Sequence, residues 1–304
     1  MASILYRILT EDYWFFTAAT VFASLVFILM LDKIMRLNAT RLTNNPTTVT
    51  GGAADRNRYV EEVTTAANDA VNDENVDEDE ESSVIEQVRY ELERYSDAEM
   101  VERSAQFYQL MNSRRSVRHF SDESVPRHVI ENLIRTAGTS PSGAHTEPWT
   151  YVVVSDPEMK SRIRRIVEDE EETNYRKRMG QKWVNDLKPL RTDWIKPYLD
   201  EAPYLVIVFK QVYGFTNSGQ RRTHYYNEIS VSISIGMFLA AAQNVGLVTV
   251  TSTPLNAGPA LRVLLNRPDN EKVVCLLPVG FPAKNCTVPD LRRKCLDDIM
   301  VLID

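Results

Sequence analysis

Apolar positions fall along this chain in three regimes. Residues 13–31 (YWFFTAATVFASLVFILML) run nineteen positions without a charge, residues 32–83 are polar and acidic, and from Val84 onward apolar residues recur with helix and strand periods. In that last regime Ser96 and Glu99 form a capping-box pair ahead of an amphipathic helix through EMVERSAQFYQLMNS. Pro126 opens a second helix to about Ala137, closed by Gly138, and Pro157 opens a charged helix to about Glu172. Residues 150–154 (TYVVV), 204–210 (YLVIVFK), 246–252 (GLVTVTS) and 273–280 (VVCLLPVG) are β-branched runs of strand length. Helix candidates lie between them, notably Leu261–Leu265. ISVSISI at 229–235 alternates like a strand, yet the apolar run continues through GMFLAAAQNVG without a turn signal. That length predicts one central helix over about Tyr225–Asn244, with Gly246 just past its end. Its Ser, Ala and Gly content suits close approach of another helix, at a dimer interface or in the core. Strands alternating with helices predict an α+β or α/β sheet.

The uncharged run 13–31 would make a helix of about 28 Å, the thickness of a hydrocarbon core. Tyr13 and Trp14 stand where an interfacial belt would be, and no small-residue cleavage site closes the run. It is expected to be a single-pass anchor after a tail of residues 1–12. Lys33, Arg36 and Arg41 outnumber Arg7, which by the positive-inside rule places the C-terminal bulk in the cytosol. Glycosylation at either sequon, Asn38 or Asn285, would overturn that orientation. Residues 32–83 then form a disordered acidic tether, seven of the nine residues 73–81 (DENVDEDEE) being acidic. Residues 84–304 form the folded domain.

Charge sharpens this division. Residues 1–83 hold six Lys/Arg against fourteen Asp/Glu, a net of −8, so the total of −7 leaves the folded part near +1. A nearly neutral domain excludes a general nucleic-acid binder. Cys275, Cys286 and Cys295 have neither disulfide-framework nor zinc spacing, and the four histidines show no ligand spacing, so no metal is expected. GxGxxG, GxxxxGK[ST] and GxSxG are all absent, which removes classical dinucleotide, P-loop and hydrolase-elbow chemistry.

What remains is a set of local devices. Arg114-Arg115-Ser116-Val117-Arg118 can cradle a phosphate or be a solvated helix end; guanidinium forks match phosphate oxygens. Pro141-Ser142-Gly143 reads as a turn, and Thr251-Ser252-Thr253 sits at a strand end before Pro254. The stretch 171–196 is charged and aromatic, a solvated helical face or a mobile lid. Within it Glu171 and Tyr175 are four residues apart, on one helical face, and Lys196 lies beyond. A carboxylate, a phenol and an ammonium suit the two ends of a zwitterionic amino acid.

In their order and spacing RRSVR, PSG leading into Glu147-Pro148-Trp149, TSTP and Pro278-Val279-Gly280-Phe281-Pro282 resemble the flavin-dependent nitroreductase superfamily. PSGAHTEPWTYVVV, DEEETNY (169–175), HYYNEISVSI, LVTVTSTPLNAGP and the N-terminal run narrow the resemblance to its iodotyrosine-deiodinating branch, over roughly residues 96–304. The resemblance implies a nitroreductase-like α+β fold, a central mixed sheet flanked by helices, in a homodimer with FMN at the subunit interface. It implies that Arg114, Arg115, Ser116, Val117 and Arg118 bind the FMN phosphate and ribityl region, helped by Arg293. Pro141, Ser142 and Gly143 would reach the flavin from the partner subunit. Ala144 would offer its backbone N–H to a substrate phenolate. Thr251, Ser252 and Thr253 would flank the flavin, with the Thr253 hydroxyl near N5, favouring one-electron states; the family more often has three threonines, so Ser252 is a mild departure. Glu171 would take the substrate ammonium, and Tyr175 with Lys196 its carboxylate.

The implied activity is reductive dehalogenation of mono- or diiodotyrosine, and of bromo- or chlorotyrosine by the same chemistry, to tyrosine and halide. NADPH is the implied ultimate donor. No pyridine-nucleotide motif is present, which leaves room for a separate reductase to deliver the electrons. Two other readings stand beside it: a broad, membrane-anchored nitro- or quinone reductase, which has no need of Glu171, Tyr175 and Lys196 together, and a tethered flavin-binding or scaffold module without catalysis.

Overall fold

The computed structural model describes residues 85–303. Ser96 caps helix α1 (Asp97–Asn112) through the expected capping box: its hydroxyl accepts from the Glu99 N–H while the Glu99 carboxylate accepts from the Ser96 N–H at 2.9 Å. Helix α2 covers Arg127–Gly138, strand β1 Trp149–Val154 and helix α3 Pro157–Thr173. Asp156 caps α3, accepting from the Met159 N–H at 2.7 Å, and Pro157 follows at its first position. Next come α4 (Gly180–Leu187), the short α5 (Tyr198–Glu201), β2 (Tyr204–Gln211), and a hairpin of β3 (Tyr213–Phe215) and β4 (Arg221–Thr223). The central helix α6 (Asn227–Asn244), β5 (Val248–Thr249), α7 (Gly258–Leu264) and β6 (Glu271–Gly280) complete the order.

The main sheet runs β1-β2-β6-β5, every named pair antiparallel. One parallel bridge, Ser116 to Thr249, ties the segment after α1 to its β5 edge and makes that edge mixed. The period-2 alternation of β2 decides the layers. Leu205, Ile207 and Phe209 face one core with Ile163, Val167 and Leu261, under α3 and α7. Val206 and Val208 face the other with Ile130, Leu133 and Phe238, under α2 and α6. Helices therefore cover both sides of the sheet.

Two expectations shift in detail. The strand expected over 246–252 shrinks to Val248–Thr249, after which the chain bridges Leu276 at Ser252. Gly138 ends α2 from inside the helix, and Thr139 serves as its cap. The alternating ISVSISI is helical, as its length required.

The membrane placement is corrected. Among the described residues no helix is long and apolar enough to cross a membrane. The longest of them, α6, is bounded by Asn227-Glu228 and Gln243-Asn244 and buries Val231, Ile235 and Phe238 against the sheet. The expected span 13–31 and tether 32–83 lie outside the described residues.

Candidate active site

Three of the sequence-marked stretches meet at the β5 edge of the sheet. The Val117 N–H donates to the Thr249 carbonyl at 3.0 Å, which sets Arg114–Arg118 beside the strand that leads into Thr251-Ser252-Thr253. The C-terminal segment folds back onto the same place. Arg293 donates to the carbonyls of Asn112 and Arg114, each at 2.8 Å, and Arg115 donates to the Pro289 carbonyl. Among the described residues no carboxylate forms a salt bridge with Arg114, Arg115, Arg118 or Arg293. Arg115 and Arg293 are thus held by backbone carbonyls while the charge of the cluster is left without an acidic partner, an arrangement that suits a polyanion. The residues present fit the phosphate of FMN.

Glu171 and Lys196 also come together. Both are nearly buried, 8% and 5% exposed, with Lys196 Nζ 3.9 Å from Glu171 Oε2. The Lys196 ammonium also donates to the Asp193 carbonyl and lies 5.6 Å from the centre of the Tyr175 ring. Burial holds this ammonium below the usual lysine range, against the pull of Glu171 and Asp193. Burial, then the Glu171 charge, pushes the Tyr175 phenol up. The Arg118 charge acts on Tyr175, Lys196 and Tyr198 alike, so the arginine cluster and the Glu171–Lys196 pair share one electrostatic region.

Two residues that sequence reasoning passed over connect the parts. Asn174, 1% exposed, uses its whole amide. Its Nδ2 donates to Glu171 Oε1 (3.2 Å) and to the Leu255 carbonyl (3.0 Å), while its Oδ1 accepts from Arg178 (2.9 Å) and Asn256 (3.3 Å). It thereby orients Glu171 and ties the end of α3 to the loop after Pro254. Asn174 also opens a π-helical turn, Asn174–Arg178, a local widening that recurs at functional sites. Tyr198 is buried, its hydroxyl bonded to Ser252 and pushed up to about 12 by burial. The only sequence signal for either was its place inside a stretch already singled out, DEEETNY or the charged run after it.

Pro141-Ser142-Gly143-Ala144 lies elsewhere. The Gly143 N–H donates to Ser230 Oγ at 3.3 Å, near the start of α6, whereas Gln243 near its end donates to Ser113 at 2.9 Å. Those two positions on α6 are roughly 20 Å apart at 1.5 Å per residue. The Gly143 loop and Ser113, beside the arginine cluster, therefore lie toward opposite ends of α6. The loop is locally strained: Ala144, His145 and Glu147 all have positive φ. A side chain at Gly143 would meet the Tyr225 carbonyl oxygen at 2.6 Å, so the close approach requires glycine. The Ser142 hydroxyl accepts from the Glu147 N–H at 3.0 Å and closes the turn. No hydrogen bond among the described residues takes the N–H of the exposed Ala144.

The fold is a four-stranded sheet with helices on both faces and an arginine-rich edge, and the chain belongs to the nitroreductase family, whose model matches residues 111–281. Within that family it is similar to the iodotyrosine deiodinases. It is 62% identical to the zebrafish (Danio rerio) iodotyrosine deiodinase over 242 residues, 80% of this chain and 82% of that protein. It is 62% identical to human (Homo sapiens) iodotyrosine deiodinase 1 over 232 residues, 76% of this chain and 80% of that protein. A crystal structure of oxidised iodotyrosine deiodinase bound to FMN and 3-iodo-L-tyrosine superposes with a TM-score of 0.54 at 30% identity, covering 62% of this chain and 96% of that one.

Proposed function

We propose that this protein is an FMN-dependent reductive dehalogenase of halogenated tyrosines, releasing tyrosine and halide. The observation that carries the reading is the Glu171–Lys196 pair, buried beside Tyr175 and within the field of Arg118. A generalist nitro- or quinone reductase has no use for a buried carboxylate and ammonium set to receive an amino acid.

Arg114, Arg115, Arg118 and Arg293, with Ser116 and Val117, hold the phosphate and ribityl chain of FMN. Bound FMN supplies two electrons to the carbon–halogen bond. The chain does the rest. Glu171, held by Asn174, takes the substrate ammonium, and Lys196 with Tyr175 takes its carboxylate. Thr251, Ser252 and Thr253 flank the ring, with Thr253 offering its hydroxyl near N5. The free N–H of Ala144, from the partner subunit, receives the substrate phenolate oxygen, so that a proton can be placed on the ring carbon as halide departs. NADPH is the ultimate donor, through a separate reductase.

The homodimer in this reading is supported by two features of the single chain. The Gly143 loop meets the start of α6 and Ser113, next to Arg114, meets its end roughly 20 Å away, so in this reading the loop reaches the flavin from a second subunit. The outer face of α6 exposes Ile229, Ile233 and Met237 one turn apart, with Gly236 between them, and the tail exposes Ile299, Val301 and Ile303. Exposed apolar side chains of this kind support an interface between subunits.

Anaerobic turnover with dithionite tests the activity. Tyrosine and iodide should appear in equal amounts from 3-iodo-L-tyrosine. Reduction of quinones or nitroaromatics with no iodide release from iodotyrosine would return the protein to the generalist reading.

A further inference from the structure

Helix α3 does more than present Glu171. Lys160, Arg164, Glu168 and Glu171 are spaced four, four and three residues apart, so they form one stripe along the helix. Every member engages the segment Lys196–Ala202. Lys160 Nζ donates to the carbonyls of Asp200 (2.9 Å) and Ala202 (2.7 Å). Arg164 donates from NH1 to Asp200 Oδ2 and from Nε to Glu168 Oε1, both at 2.8 Å. Glu168 Oε1 accepts, in addition, the backbone N–H of Lys196 at 2.5 Å. Glu171 then stands 3.9 Å from the Lys196 ammonium.

The engaged segment needs outside support. Helix α5 is four residues long, too short to hold itself, and its C-terminal carbonyls have no partners within the helix. Lys160 satisfies two carbonyls there. Ahead of α5, residues 191–195 are irregular, so the backbone at Lys196 is anchored on that side by what binds its N–H, while its carbonyl accepts from the Leu199 N–H at 3.0 Å. An ammonium on a four-carbon stem goes where its backbone directs it and where neighbours draw it. In this segment the backbone is directed by a carboxylate that Arg164 holds from the other side.

We propose that Glu168, oriented by Arg164, is the positioning residue for Lys196, fixing the backbone from which its ammonium reaches the carboxylate end of the substrate. This rests on the reading of Glu171, Tyr175 and Lys196 as the zwitterion site. The carboxylate of Glu168 meets the amide of Lys196 rather than the ligand, so its effect is confined to ligands that Lys196 contacts.

The test titrates the flavin fluorescence of FMN-loaded, full-length protein with 3-iodo-L-tyrosine and with 2-iodophenol, which lacks the amino-acid end. Losing a hydrogen bond to a charged group predicts about 10- to 100-fold weaker iodotyrosine binding in Glu168→Ala, with 2-iodophenol binding changed less than about threefold and FMN content unchanged. Glu168→Gln keeps an uncharged acceptor for the Lys196 amide and should fall between wild type and Glu168→Ala; it remains the test if the alanine variant folds poorly. Equal losses for both ligands, or loss of FMN, would mark a merely structural role and overturn the proposal. Retained discrimination between the ligands would do the same. Lys196→Met, run alongside, separates the two levels. If it also keeps full discrimination, the zwitterion reading itself fails; if it loses discrimination while both Glu168 variants keep theirs, only the positioning role fails.

Discussion

The arginine edge and the Glu171–Lys196 pair lie in one region yet handle charge in opposite ways. Arg114, Arg115, Arg118 and Arg293 have no acidic partner among the described residues, and Arg115 and Arg293 are held by backbone carbonyls. Glu171 and Lys196 are buried and face each other, with Asn174 and Asp193 completing their shells. An unneutralised cluster suits a ligand that carries net charge, and a phosphate brings about two negative charges. A self-neutralising pair suits a ligand that carries both signs and no net charge, because a zwitterion can part the pair and take up each end. Under the proposed function, the contrast would let one edge hold a cofactor and an amino acid by different means. It also tells which substitution should remove which ligand.

The largest effect should come from the unneutralised side. Arg114→Ala with Arg118→Ala removes two charge-assisted partners of roughly 1.5–3 kcal/mol each, so FMN affinity should fall by at least about a hundredfold. The protein should then purify colourless, and a full flavin spectrum would break the contrast. Next is the outer face of α6. Ile233→Glu puts a charge into the apolar surface and should give a monomer depleted in FMN by size-exclusion and absorbance, whereas a flavin-replete monomer would place the whole cofactor site in one chain. On the paired side the effect is smaller and different in kind. Glu171→Gln should weaken 3-iodo-L-tyrosine binding by roughly tenfold in a calorimetric titration while leaving FMN occupancy intact.

A pH profile sharpens the same contrast. The Lys196 ammonium is held below its usual range, so it loses its proton at a lower pH than a free lysine. Iodotyrosine affinity should therefore decline on the alkaline side before pH 10.5, and Lys196→Met should abolish that limb. Stability moves the other way. Between the lowered value and 10.5 the unfolded chain binds more protons, so this group makes the fold more stable as pH rises through that window. The smallest effect belongs outside both regions. Ser96→Ala removes the α1 cap and should lower stability by about 1 kcal/mol in denaturant melts, with dehalogenation unchanged.

Much of this was legible in the chain. The β-branched runs became β2 and β6, which are buried on both faces of the sheet where such side chains pack well, and β1, which is partly exposed beside β2. The capping box at Ser96 and the cap at Asp156 are local chemistry, readable over three or four residues. Length correctly overrode the alternation of 229–235. Candidate site residues could be marked in the chain where a residue's type suggests its chemistry, as with the arginines, Glu171 and Lys196. Asn174, Tyr198 and Glu168 were not, because their roles come from contacts that no local pattern encodes. Asn174 meets Leu255 across 81 positions of sequence, and Glu168 meets Lys196 across 28. The separation of the Gly143 loop from Ser113, beside the arginine cluster, was likewise invisible until α6 was in place between them. Charge bias and hydropathy at the N-terminus led to a membrane placement that no helix among the described residues supports.

The central claim, that each site joins the arginine edge of one subunit to the Gly143 loop of the other, can be tested by mixing two inactive variants. Lys196→Met damages the first half, and Gly143→Val, whose side chain meets Tyr225, damages the second. If the halves come from different subunits, a mixed dimer carries one site with both lesions and one with neither. Random mixing should then restore about a quarter of wild-type dehalogenation. If each site lies within one chain, the mixture should stay as inactive as its two parents.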